Sequence, residues 1–164
     1  MTSSAALLLP QSGFAGDINA PVVGFPVEIA SLTDGTHQGL VAANLAISYP
    51  PGVFGSPAVR LGSIPAGGVP GAWKTVFNSP QDGVLNILLS VNEETNGIMG
   101  TEGGSLVLID FPVTLNPSDL QDQIIEISVR GPTGLHTQVV GNPGAYSLES
   151  LGLPATGKIT INPV

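Results

Sequence analysis

Glycine and proline clusters punctuate this chain about every dozen residues. They include "SGFAGD" (12–17), "TDGTHQG" (33–39), "YPPG" (49–52), "PAGGVPG" (65–71), "SPQDG" (79–83), "EETNG" (93–97), "TEGG" (101–104), "NPSD" (116–119) and "RGPTG" (130–134). Glycine supplies positive φ at little cost and proline withholds a backbone N–H, so each cluster ends whatever regular structure precedes it. The segments left between them are too short for a helical bundle and suit strands. The predicted class is therefore all-β, a sandwich or barrel. Strand candidates lie at 6–10, 22–31, 40–49, 59–64, 73–78, 84–92, 105–115, 123–130, 136–140 and 158–162, enough for two packed sheets, with one helical turn at 146–151.

Composition supports this and excludes several functions. Gly 22 and Pro 15 against 10% charged residues leave little material for surface helices. A length of 164 residues at 42% hydrophobic content fits one domain, 1–164, with a real core. Twelve acids against four bases give a net charge of -8, and Arg60, Lys74, Arg130 and Lys158 are too scattered to form a phosphate-binding stripe, so nucleic acid is not an expected partner. Without cysteine there is no disulfide framework and no thiolate chemistry. "MTSSAALLLP" has no basic residue ahead of its short apolar stretch and reads as a first strand, not a signal peptide. No run approaches the ~18 apolar residues of a membrane helix. The chain reads as one module of a longer protein.

Side-chain alternation separates a core face from an outer face along each strand. In "VAANLAISY", Val41, Ala43, Leu45, Ile47 and Tyr49 form the core set, leaving Ala42, Asn44, Ala46 and Ser48 outside. "VLNILLSVN" places Leu85, Ile87, Leu89 and Val91 inside, with Val84, Asn86, Leu88 and Ser90 outside; "IIEISV" sends Ile125, Ile127 and Val129 inward. The stretch "LVLIDFPV" is apolar on both sides: Val107, Ile109, Phe111 and Val113 make the core set, so Leu106, Leu108 and Asp110 are expected to point away. If these strands share one sheet, its outer surface is apolar and small, dotted with amides and one carboxylate, like the centre of a protein interface. The alternative is that loops of the same chain cover Leu88, Leu106 and Leu108.

The order of these pieces resembles that of cohesin modules. "GFAGDINAPVVGFPVEIAS" is similar to the family's opening turn and strand, and "AANLAISYPPGVF" to its third strand, although Pro50 stands where the family usually has Asp. "DGVLNILLSV", "GTEGGSLVLIDFPV", "IIEISV" and "GKITINPV" follow its later order, so the likeness spans nearly the whole chain. The resemblance implies a two-sheet β-sandwich with jelly-roll topology and about nine strands. It also implies a non-catalytic module that binds dockerin, a small calcium-loop module on another polypeptide, through one flat sheet face. Carried onto this chain, that partner-binding face comprises Ala42, Asn44 and Ala46 from the third strand, Asn86, Leu88 and Ser90 from the fifth, and Leu106, Leu108 and Asp110 from the sixth. "LHTQVV" is the candidate eighth strand, with His136 and Gln138 as contributors. Calcium belongs to the partner in this scheme, no cofactor is expected here, and the setting is extracellular or the cell surface, within a scaffold of the cellulosome kind.

Two other functions compete with that reading. Catalysis has little support: His37 and His136 show no metal-ligand spacing, no serine sits in a G-x-S-x-G elbow, and the carboxylate pairs Glu93–Glu94 and Asp119 with Asp122 fall in predicted turns. A carbohydrate-binding module of an extracellular protein, with a polysaccharide ligand, is the stronger rival. Sugar rings stack on exposed aromatics, but Tyr49, Phe77 and Phe111 fall on expected core positions, leaving Trp73, itself a candidate core-edge residue, and Tyr146. The acidic turns "NEETNG" and "TDGTHQG" depart from the D-x-D-x-D-G calcium pattern and read as solvated.

Overall fold

The computed structural model describes residues 5–115, 117–118 and 120–163; Asp119, one of the turn carboxylates, lies outside them. Twelve strands are described rather than about nine: β1 (Leu7–Leu8), β2 (Ala15–Gly16), β3 (Val22–Ser31), β4 (Gln38–Ser48), β5 (Ala58–Leu61), β6 (Trp73–Asn78), β7 (Val84–Val91), β8 (Glu102–Phe111), β9 (Gln121–Ser128), β10 (Gln138–Asn142), β11 (Gly144–Ala145) and β12 (Ala155–Ile161). The two that turn spacing did not foresee, β2 and β11, are two residues long, which is too short for any alternation to show. Two single-turn helices, α1 (Ser63–Ala66) and α2 (Leu148–Leu151), complete the chain with a 3₁₀ turn at Glu94–Asn96. The α2 turn falls where expected, with Ser147 as its N-cap accepting from the Ser150 N–H at 3.2 Å.

The strands form two sheets. The smaller runs β1-β3-β8-β5. In the larger, β4 pairs with β7 along one edge, and along the other with β10 over its first half and β9 over its second; β6 extends the β7 side, while β12 and β2 extend the β9 side. Their inner faces meet in one core: Ala43, Leu45, Ile47, Leu85, Ile87, Leu89, Ile125 and Ile127 from one sheet and Val107, Ile109 and Phe111 from the other, all from the alternating sets read above, are buried, and Phe25 and Val27 of β3 are buried with them. Phe111 sits at the centre of an aromatic cluster, with Phe25, Tyr49 and Phe54 at centroid separations of 5.9, 6.0 and 5.0 Å.

Three expected core residues are not in it, and Val84, expected outside, is buried at the start of β7. Val41 is only half-buried, the neighbouring Leu40 being buried in its place. Val129 is 38% exposed, because β9 ends at Ser128 and the chain leaves the sheet there. Phe77 shares the inner side with its cross-strand partner Ile87, but β6 is the last strand on that side and the ring stays 39% exposed. One glycine shows why the turn chemistry is strict. Gly39 has φ +77°, and a Cβ there would collide with the carbonyl oxygen of Ile98.

Candidate docking face

Pairing register fixes the outer surface of the larger sheet residue by residue, since directly opposed residues project to the same side. Three rows cross β6, β7, β4 and the strands beyond it. The first is Lys74, Ser90, Ala42 and Val140; the second Val76, Leu88, Asn44 and Gln138; the third Asn78, Asn86, Ala46 and Ser128. Strands ~4.8 Å apart and same-face residues ~7 Å apart make this a patch of roughly 14 by 14 Å between outermost positions. Its middle row is apolar at one end and amide at the other. Val76 and Leu88 are 50% and 44% exposed side by side, while Gln138 is exposed and Asn44 half-buried.

Six of the nine residues expected on the face are thus brought together: Ala42, Asn44, Ala46, Asn86, Leu88 and Ser90. The other three are not. Leu106, Leu108 and Asp110 belong to β8, in the opposite sheet, between β3 and β5. Leu106 is fully buried, which corrects its outward assignment. The cause is a β-bulge: Val27 opposes Val107 but Glu28 opposes Ser105, leaving Leu106 as the extra residue, and strict alternation fails across it. The helix α1 packs on this part of β8, with the Gly62 N–H donating to the Leu106 carbonyl at 3.0 Å and the Ser63 N–H to the Ser105 hydroxyl at 2.7 Å. Leu108 is half-buried, flanked by Pro26 and Arg60.

Asp110 is engaged by its own chain. Arg60 donates through Nη2 and Nε at 2.9 and 3.1 Å, and the Gly24 N–H at 2.9 Å. The Arg60 hydrogen bond, opposed by burial and helped by Gly24, holds this carboxyl below its usual range.

The loop of residues 129–137, joining β9 to β10, bends back over the third row. Its Gly131 lies against Ala46, which is only 2% exposed, and Thr133 Oγ1 accepts from Asn86 Nδ2 at 3.1 Å. At the loop's base the Thr137 hydroxyl accepts from the Ala46 N–H at 3.0 Å and donates to the Ser128 carbonyl at 2.5 Å. It thereby fills the gap where the partner of β4 changes from β10 to β9. Ala46 and part of Asn86 are covered by the chain itself, so the open part of the face is its first two rows. His136 is exposed on this loop, and Gln138 flanks Asn44 as expected of the "LHTQVV" strand.

Sequence reasoning missed Val76 and Lys74, because it seated 106–110 where β6 stands. The signal was available. Trp73, expected at the core edge and 6% exposed, sets the alternation of β6 and sends Lys74, Val76 and Asn78 outward.

The remaining candidate chemistry has structural roles. Asp34 accepts from the N–H groups of His37, Thr36 and Ser147 at 2.7, 2.9 and 3.3 Å and from His37 Nδ1 at 2.9 Å. Burial pushes its carboxyl up, but the His37 backbone and ring donors, with Thr36 and Ser147, outweigh this and hold it well below the usual carboxylate range. Tyr146 is 4% exposed and donates to the Gly39 carbonyl at 2.5 Å; burial, and then the charge of Asp34, push its hydroxyl up. With Trp73 also buried, neither ring offers a face to a sugar. Asp122 lies on β9 instead of in a turn and accepts from Thr160 Oγ1 at 2.9 Å. Among the described residues no group of three or more His, Cys, Asp or Glu side chains is placed to hold a metal ion, and no helix is long and apolar enough to cross a membrane.

Solved structures share this arrangement over the whole chain. The cohesin module of a family 33 glycoside hydrolase from Clostridium perfringens superposes with a TM-score of 0.65, covering 100% of both chains at 11% identity. The fold is that of cohesin modules. The sixth cohesin of scaffoldin B from Acetivibrio cellulolyticus, solved in complex with a dockerin, gives a TM-score of 0.63 at 16% identity over 97% of this chain and 99% of that one. The OlpA cohesin of Clostridium thermocellum, also solved in a dockerin complex, gives 0.66 at 14% identity over 97% and 99%. No family model matches the sequence. No curated protein matches it either. The cohesin-type sandwich that the order of the motifs led one to expect is thus shared at only 11–16% identity.

Proposed function

We propose that this chain is a non-catalytic docking module that binds a dockerin-type partner through the outer face of β6, β7, β4 and β10, with the calcium carried by the partner, in an extracellular or cell-surface assembly. One observation carries the reading: Val76 and Leu88 lie bare and adjacent in a row completed by Asn44 and Gln138. Two half-exposed aliphatic side chains gain on the order of 1 kcal/mol each when a partner covers them. The amides beside them accept and donate hydrogen bonds that fix orientation. The cohesin-type fold, and neighbours solved in complex with dockerins, support the choice of partner.

The test is calorimetry of the chain against a panel of dockerins, with calcium and with a chelator. Calcium-dependent binding to at least one member, lost on Leu88→Asp with the melting temperature retained, is the expected result. Binding that survives Leu88→Asp and Val76→Asp would refute the face. Polysaccharide binding, tested by gel retardation, is expected to be absent, in keeping with the burial of Trp73 and Tyr146.

A further inference from the structure

Beside the flat face is a depression whose walls come from two places. Val76, Phe77, Asn78, Asn86 and Leu88 supply one side from the β6–β7 pair, and Leu135 supplies the other from the loop of residues 129–137. The loop is held at both ends of its reach, by Thr137 at its base and by the Asn86 to Thr133 hydrogen bond near its tip, so Leu135 stands on a fixed support. Resting on the docking-face reading, we propose that the occupant is a cationic amphipathic segment of another protein. One apolar anchor side chain enters this depression, and Leu135 is a specificity-determining residue for that anchor.

Charge selects the occupant. A second copy of this chain would bring a net charge of -8 against a chain that already carries -8. Exposed acids flank the patch at both ends of β7: Asp82 in the turn that leads into it, and Glu93 and Glu94 just beyond it. Lys74 is the one cation among the described residues of the three rows, and Arg60 is already committed to Asp110. A segment with lysines or arginines on either side of an aliphatic or aromatic residue meets opposite charge at both ends and apolar contact between them.

The test uses the full chain, methyl-labelled, with two synthetic probes of about 18 residues each, long enough for several helical turns. One is an amphipathic leucine/lysine peptide, the other its leucine/glutamate counterpart. The lysine peptide is expected to shift the methyl signals of Val76, Leu88 and Leu135 and the glutamate peptide to leave them in place. Leu135→Ser is expected to weaken the lysine peptide about tenfold, as removal of an anchoring contact does, with the melting temperature held, and Leu8→Ser on the other sheet to change nothing. If Leu88 still shifts but Leu135→Ser leaves affinity unchanged, the anchor is overturned while the docking face stands. If the shifts gather at Leu8 or Leu148, the cationic occupant of this face is overturned, and dockerin calorimetry then decides the docking reading separately.

Discussion

Arg60 closes on Asp110 across the β5–β8 pair with two hydrogen bonds, at 2.9 and 3.1 Å, in the sheet opposite the docking face on which the sequence had placed this carboxylate. Both side chains keep substantial exposure, so the pair is a solvated one whose contribution to stability is small. Asp110→Ala is therefore expected to leave partner affinity unchanged and to shift the melting temperature only slightly. Loss of binding in that variant would return Asp110 to the interface.

Of the three leucines expected on the outer face, Leu106 and Leu88 differ most in burial. Leu106→Ala empties a fully buried site and should cost about 2–5 kcal/mol in denaturant unfolding. Leu88→Asp changes a side chain 44% exposed and should cost under ~1 kcal/mol, as a surface substitution does. A reversal of that order would contradict the bulge at Leu106.

Thr137→Val removes two hydrogen bonds at nearly constant shape and leaves the buried Ala46 N–H unsatisfied. A loss of about 1–3 kcal/mol is expected, together with faster amide exchange at Ala46 and along residues 129–137. Unchanged exchange at Ala46 would show that the hydroxyl is not its partner.

Asp34 sets the expected response to acid. Its folded carboxyl titrates below the unfolded value near ~3.9, so its stabilising effect is complete above that value and drains away as pH falls through it toward the folded one. Asp34→Asn should destabilise by about 1–2 kcal/mol at neutral pH, through weakened acceptance from Thr36, His37 and Ser147. The difference from the parent chain should narrow below pH ~3.9 as the parent's own carboxylate protonates. A gap that is constant with pH would contradict the charged role.

Much of the sandwich was legible because period-two alternation and Gly/Pro punctuation are local signals. The bounds of β3 and β6 follow from them directly, and the inner sets of β4, β7 and β8 are buried as read except Val41 and Val91, which are half-buried. Which strand joins which sheet is not local. Residues 107–111 can be divided into an inner and an outer set just as 84–91 can, and only the pairing of β8 with β3 and β5 shows that its outward side faces the other way. The bulge at Leu106 escaped for the same reason, since it exists only relative to the opposing strand. Val76 was within reach, because the buried Trp73 fixes the sides of β6.

The most direct measurement of the central claim is calorimetric titration of a calcium-loaded dockerin that binds the parent chain into three variants, Leu88→Asp, Val76→Asp and Leu108→Asp. The account predicts that the first two abolish binding at unchanged melting temperature, while the third, on the opposite sheet, retains it. Binding that survives in the first two and disappears in the third would place the interface on the β3–β8–β5 side and contradict the face described here.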